Sequence, residues 1–106
     1  MNTVRVKRVT IIGDDDVAYR IVQEIQELGA TGYTYAVVHG KGQRGIRPRR
    51  AEPSNAKIEV IATAKVAQRI LEHIAENYFD QYAMIAFLDD VEVLRGEKFG
   101  AAANPK

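Results

Sequence analysis

Apolar positions along the chain fall into two spacings, and together they predict six elements. Residues 4–12, VRVKRVTII, are β-branched and end at Gly13 followed by three acids. This reads as a strand running into a helix start, where Asp14 to Asp16 can cap the helix and complement the positive end of its dipole. Val17, Ile21, Val22, Ile25 and Leu28 then recur at helical spacing, and Gly29 supplies a stop. Residues 33–39, YTYAVVH, are aromatic and β-branched, as a strand prefers. A loop from about Gly40 to Asn55 follows, with Gly40, Gly42, Gly45, Pro48 and Pro53 as breakers.

Alternation resumes at Lys57 to Thr63, with Ile58, Val60 and Ala62 on one face and Lys57, Glu59 and Thr63 on the other. Val66, Ile70, Ile74 and Tyr78, flanked by Ala67, Leu71 and Ala75, form a second helical stripe. The last run, Met84 to Leu94, is strand-like but interrupted by Asp89 and Asp90. The order βαββαβ, with right-handed crossovers, predicts an α+β ferredoxin-like fold: a four-stranded antiparallel sheet with two helices on one face.

Alternation also bears on assembly. Tyr33, Tyr35 and Val37 share one side of the second strand while Ala36 and Val38 share the other; in the last strand Ile85 and Phe87 oppose Met84, Ala86 and Leu88. Both faces are apolar there, and two helices can cover only one of them. An exposed patch of that size marks an interface, so an obligate oligomer is expected, the alternative being that the long loop folds back over the sheet.

Composition narrows the function classes. The 106 residues include 46% hydrophobic and 27% charged, the balance of one soluble domain. With no cysteine, a disulfide framework, a thiol nucleophile and a Cys-ligated zinc or iron–sulfur site are excluded. The first residues hold too short an apolar run for a signal peptide, and no stretch has the length of a membrane span; a cytoplasmic protein is expected.

The formal net charge of +1 conceals a local imbalance, because Lys41, Arg44, Arg47, Arg49 and Arg50 sit together without an acid. The rest of the chain carries about −4.

The strongest candidate for chemistry is Gly40-Lys41-Gly42-Gln43-Arg44-Gly45-Ile46-Arg47, directly after a strand. Glycines let the main chain present amide donors closely, while Lys and Arg supply charge and a bidentate fork, which suits a phosphate or another oxyanion. RNA is the rival partner for a basic loop on a βαββαβ sheet, but RNA-recognition sheets stack bases on aromatics of the first and third strands. Neither VRVKRVTII nor KIEVIAT contains an aromatic, so no nucleic-acid partner is expected. Catalysis finds no support either. His39 and His73 have no metal-ligand spacing and no nucleophile beside them. A single helical His such as His73 is expected on the surface, and three acids at a helix start serve the dipole.

Glu27-Leu28-Gly29-Ala30-Thr31-Gly32-Tyr33-Thr34, Gly40-Lys41-Gly42, Lys57-Ile58-Glu59-Val60 and Glu92-Val93-Leu94-Arg95-Gly96-Glu97 resemble the PII signalling superfamily across about residues 7–99. The loop pattern Gly40, Lys41, Gly42, Arg44, Arg47 and the segment Phe79 to Phe99 are most similar to the PII-like proteins associated with carboxysomes and bicarbonate transport. The resemblance implies a single PII-like domain over 1–100 with a short tail at 101–106. It further implies a homotrimer with adenine nucleotides in the clefts between subunits, and a partner-contacting T-loop at about 40–56. Gly40, Lys41, Gly42, Arg44 and Arg47 would meet the phosphates; Ala83, Ile85 and Phe87 would line the cleft, and Arg95 would lie near its mouth. No catalytic residue and no metal or cofactor are implied.

Departures from the family sharpen the expectation. Nitrogen-regulatory members carry a glycine- and lysine-rich loop before the last strand, where this chain has Asp80-Gln81-Tyr82-Ala83. AMP, ADP or cyclic AMP is therefore expected rather than ATP, with bicarbonate as a co-ligand. Tyr33 and Tyr35 precede the T-loop and Ser54 is the only hydroxyl inside it, so the family's modifiable tyrosine is missing. The chain ends GAAANPK without the cysteine pair of many bicarbonate-transport members. The implied partner is a bicarbonate transporter or another carbon-metabolism protein, which would place the protein peripherally at the inner face of the membrane.

Overall fold

The computed structural model describes residues 2–40 and 54–99. The elements follow the order β1 (Val4–Asp14), α1 (Ala18–Glu27), β2 (Thr34–Val38), β3 (Asn55–Ala62), α2 (Ala64–Asn77) and β4 (Ile85–Val93), with short 3-10 turns at Asp15–Val17 and Gly96–Phe99. All strand pairs are antiparallel, in the spatial order β2-β3-β1-β4. This is the expected α+β sheet with both helices on one face.

Local chemistry sets each helix end. Asp14 is extended and its carboxylate accepts from the Asp16 amide at 2.9 Å, capping the 3-10 turn that leads into α1. At the other end the Ala30 amide donates to Ile25 O and the Gly29 amide to Gln26 O, with Gly29 at φ 120°. That pair of bonds is a Schellman stop, which needs a residue tolerant of positive φ. Arg69 Nη1 adds a bond to Leu28 O at 3.1 Å. Thr63 opens α2, its hydroxyl accepting from the Val66 amide.

Register sorts the sheet into two faces. Val9 and Ile11 lie opposite Val60 and Ile58, and all four pack against Ile21 and Ile25 of α1 and Ile70 and Ile74 of α2 as a continuous core. On the other face the cross-sheet rows read Ala36–Lys57–Ile12–Ile85, Thr34–Glu59–Thr10–Phe87 and Ile61–Arg8–Asp89, with Val6 opposite Val91 beyond them. No helix covers that face.

Three expectations change in the structure. First, Asp89 and Asp90 do not interrupt the last strand: β4 runs through them because each faces a base on β1. Asp89 meets Arg8 in a two-bond pair at 2.8 and 3.2 Å, and Asp90 meets Lys7. Second, the open face is not uniformly apolar. Arg8–Asp89 and Lys57–Glu59 lie among Ile12, Ile61, Ala36, Ile85 and Phe87. Third, the helices cover the middle of their own face but not its β2 edge, so Tyr35 and Val37 remain exposed on the helix side.

Candidate functional site

The candidate site starts where β2 ends. Val38 pairs with Asn55, Asn55 also pairs with Asp14, and Ile12 pairs with Ile85. The chain therefore leaves the sheet at Gly40 and returns at Ser54 beside the first helical turn and the start of β4. Asp15 ties the returning root of this loop to β2. Its backbone amide donates to Ser54 O at 3.1 Å, and its carboxylate accepts from the Tyr35 hydroxyl. That hydrogen bond is the main reason the Tyr35 phenol is held above its ordinary pKa, with desolvation and the Asp15 charge acting in the same direction.

The placement of the predicted residues is uneven. Gly40, Ala83 and Ile85 lie toward this end of the sheet, and Phe87 lies one row further in on the open face. Ile85 is 56% exposed and Phe87 47%, so two apolar side chains stand uncovered close to the loop's root. Arg95 follows the far end of β4, and a nine-residue strand spans roughly 25–30 Å. Within one chain Gly40 and Arg95 are not brought together. Lys41, Gly42, Arg44 and Arg47 lie outside the described residues.

Sequence reasoning missed a polar cluster between the helices. His73, expected on the surface, is only 25% exposed in its side chain, and its Nε2 sits 2.7 Å from Glu24 Oε1. The Tyr78 hydroxyl donates to the same Glu24 oxygen at 2.7 Å and receives a bond from Arg20 Nε at 3.0 Å. Asn77 Nδ2 lies 3.2 Å from His73 Nδ1. Because a carboxylate can only accept, His73 presents Nε2–H to Glu24. The signal available in the sequence was the i, i+4 spacing of Arg20 and Glu24 on one helix and of His73 and Asn77 on the other.

Electrostatics at two carboxylates give a pH dependence. Burial pushes Glu24 up, but the hydrogen bonds from His73 and Tyr78 and the charges of His73 and Arg20 outweigh it, leaving Glu24 below its ordinary value of 4.5. Asp89 is lowered from 3.8 chiefly by its hydrogen bond from Arg8. A carboxyl group whose pKa falls on folding adds stability above its unfolded value and loses it as pH falls through the folded one. Thermal melts should therefore show stability declining below about pH 4.5, and Glu24→Gln should make that decline shallower. An unchanged slope would remove Glu24 from the titration.

Among the described residues no group of His, Cys, Asp or Glu could hold a metal ion, and no helix is long and apolar enough to cross a membrane. The described residues give an element order and an uncovered sheet face, and comparison with known proteins gives the class. Residues 6–98 match the family model of nitrogen regulatory protein P-II. A chain from Thermus thermophilus, described as a PII-like signalling protein, is 43% identical with a TM-score of 0.81, covering 93% of this chain and 99% of that one. CPII of Thiomonas intermedia, in a structure bound to ADP and bicarbonate, is 21% identical at a TM-score of 0.79, covering 92% and 97%. GlnK of B. subtilis is 17% identical at 0.62, covering 83% and 86%.

The chain belongs to the P-II family and is a PII-like signalling protein.

Proposed function

We propose that this protein is a non-enzymatic sensor of adenine nucleotides, assembled as a homotrimer whose intersubunit clefts take AMP, ADP or cyclic AMP, with bicarbonate as co-ligand. The loop at about 40–56 carries the signal to a bicarbonate transporter or another carbon-metabolism protein, with the sensor in the cytoplasm and peripheral at the membrane through that partner. The observation that carries this reading is the juxtaposition at one end of the sheet. The open face with Ile85 and Phe87 meets the root of the loop that holds Lys41, Arg44 and Arg47. A second subunit on the open face would turn that corner into a cleft with apolar walls for a base and cations for phosphate. Arg95, remote from Gly40 within one chain, would have to be supplied to such a cleft by a neighbouring subunit. CPII structures described as bound to ADP, AMP and bicarbonate share the fold and support the ligand class.

For the loop to signal, the ligand must prefer one loop state, since equal affinity for both shifts nothing. RNA fits less well. The open-face positions of β1 and β3 include Val6, Arg8, Thr10, Ile12, Lys57, Glu59 and Ile61, and none is aromatic.

The test is a thermal-stability panel with AMP, ADP, ATP, cyclic AMP and single-stranded RNA, each with and without bicarbonate. A nucleotide at 100 times its dissociation constant stabilises by about 2.7 kcal/mol. Arg44→Ala should then weaken nucleotide binding by about 1.5–3 kcal/mol, the contribution of a charged hydrogen bond. Inertness to every nucleotide, or tight RNA binding with a steep salt dependence, would overturn the reading.

A further inference from the structure

The cluster between the helices lies away from the loop, yet it holds the chain at the point where β4 is about to begin. Tyr78 ends α2 and is 1% exposed. Its carbonyl accepts from the amides of Gln81 and Tyr82 at 3.1 and 3.0 Å, closing the turn that leads into β4. Its ring lies 6.0 Å from the Tyr82 ring, and the Arg20 guanidinium sits over it at 5.2 Å. Its hydroxyl is used twice, donating to Glu24 and accepting from Arg20. A buried phenol left without those partners would carry the full desolvation cost of an unmade bond, so the ring's position is specified by α1. At the far end of the same turn Met84 packs against the backbone of Gly13. The connection 79–84 is thus held at two points, and the first depends on Glu24 and Arg20.

We propose that Glu24 and Tyr78 are positioning residues for nucleotide binding: through the Tyr78 hydroxyl, helix α1 sets the turn 79–84 and with it where Ala83, Ile85 and Phe87 stand. This rests on the nucleotide reading above. The helices already share an apolar core of Ile21, Ile25, Ile70 and Ile74, so the polar bonds can be removed while the packing stays.

The experiment uses the full chain as Tyr78→Phe and, separately, as Glu24→Leu, which removes the acceptor that a glutamine would keep; Ile21→Val, which shortens a core side chain and removes no polar bond, serves as the control. Each is measured for melting temperature, ADP and AMP affinity by calorimetry, and amide exchange. Both test variants should weaken ADP binding about three- to tenfold, the range one net hydrogen bond spans. Exchange at Gln81 and Tyr82 should quicken while the amides of Val9 and Val60 stay protected. The control should lower the melting temperature and leave ADP affinity and the turn amides unchanged. Wild-type affinity in variants whose turn amides exchange faster overturns the positioning role and leaves the nucleotide reading standing. A wild-type chain that binds neither ADP nor AMP overturns that reading and the inference together.

Discussion

Phe87→Asp should convert the protein from an assembly into single chains that bind no nucleotide. Phe87 sits on the uncovered face of β4, opposite Thr10, and is 47% exposed in the isolated chain. An aspartate there would meet water in a monomer and leave the helix-side core untouched. In an assembly that covers the open face, the same carboxylate would be buried beside Thr10 and Ile85 without a base of its own, because Arg8 is committed to Asp89. An uncompensated buried charge costs several kcal/mol, and a symmetric assembly incurs it once per subunit. Sedimentation should show a trimer for the wild type and one folded chain for the variant, with unchanged far-ultraviolet circular dichroism. Calorimetry should show loss of nucleotide binding, since the proposed cleft needs two subunits. A variant that sediments as the wild type does would sink the assignment of this face as the subunit interface.

What could be read beforehand follows from the range of each signal. Hydrophobic spacing reports which residues of one element share a face, so the stripes Val17–Leu28 and Val66–Tyr78 and the alternation at 57–63 located both helices and the third strand within a few residues of α1, α2 and β3. Periodicity is silent about partners far away in the chain. Asp89 and Asp90 looked like a break in the last strand because their bases, Arg8 and Lys7, come from β1. His73 looked like a surface residue for the same reason: its partner Glu24 is on the other helix. The loop pattern pointed to an oxyanion and the family resemblance to a nucleotide cleft. Neither could reveal that Gly40 and Arg95 stand at opposite ends of one subunit, since that separation is a property of sheet register rather than of motif spacing.

The same distinction between a covered and an uncovered face separates two kinds of destabilisation. Ile70→Ala should lower stability by about 2–5 kcal/mol, the span for deleting a buried aliphatic side chain and leaving a cavity. Ile70 is 0% exposed and packs in α2 against the central strands, on the face that the chain covers by itself. Folding of each subunit is therefore what suffers, and with roughly 4–8 °C lost per kcal/mol in a domain of this size, the fall in melting temperature should exceed about 8 °C. Its mark is indifference to assembly. In a Phe87→Asp background, where the chain is expected to be alone, the increment from Ile70→Ala should persist at every protein concentration, because mass action on subunits does not enter it. An increment that vanished in the monomeric background would mean that Ile70 acts through the subunit contacts, and that the helix-side core does not hold this fold by itself.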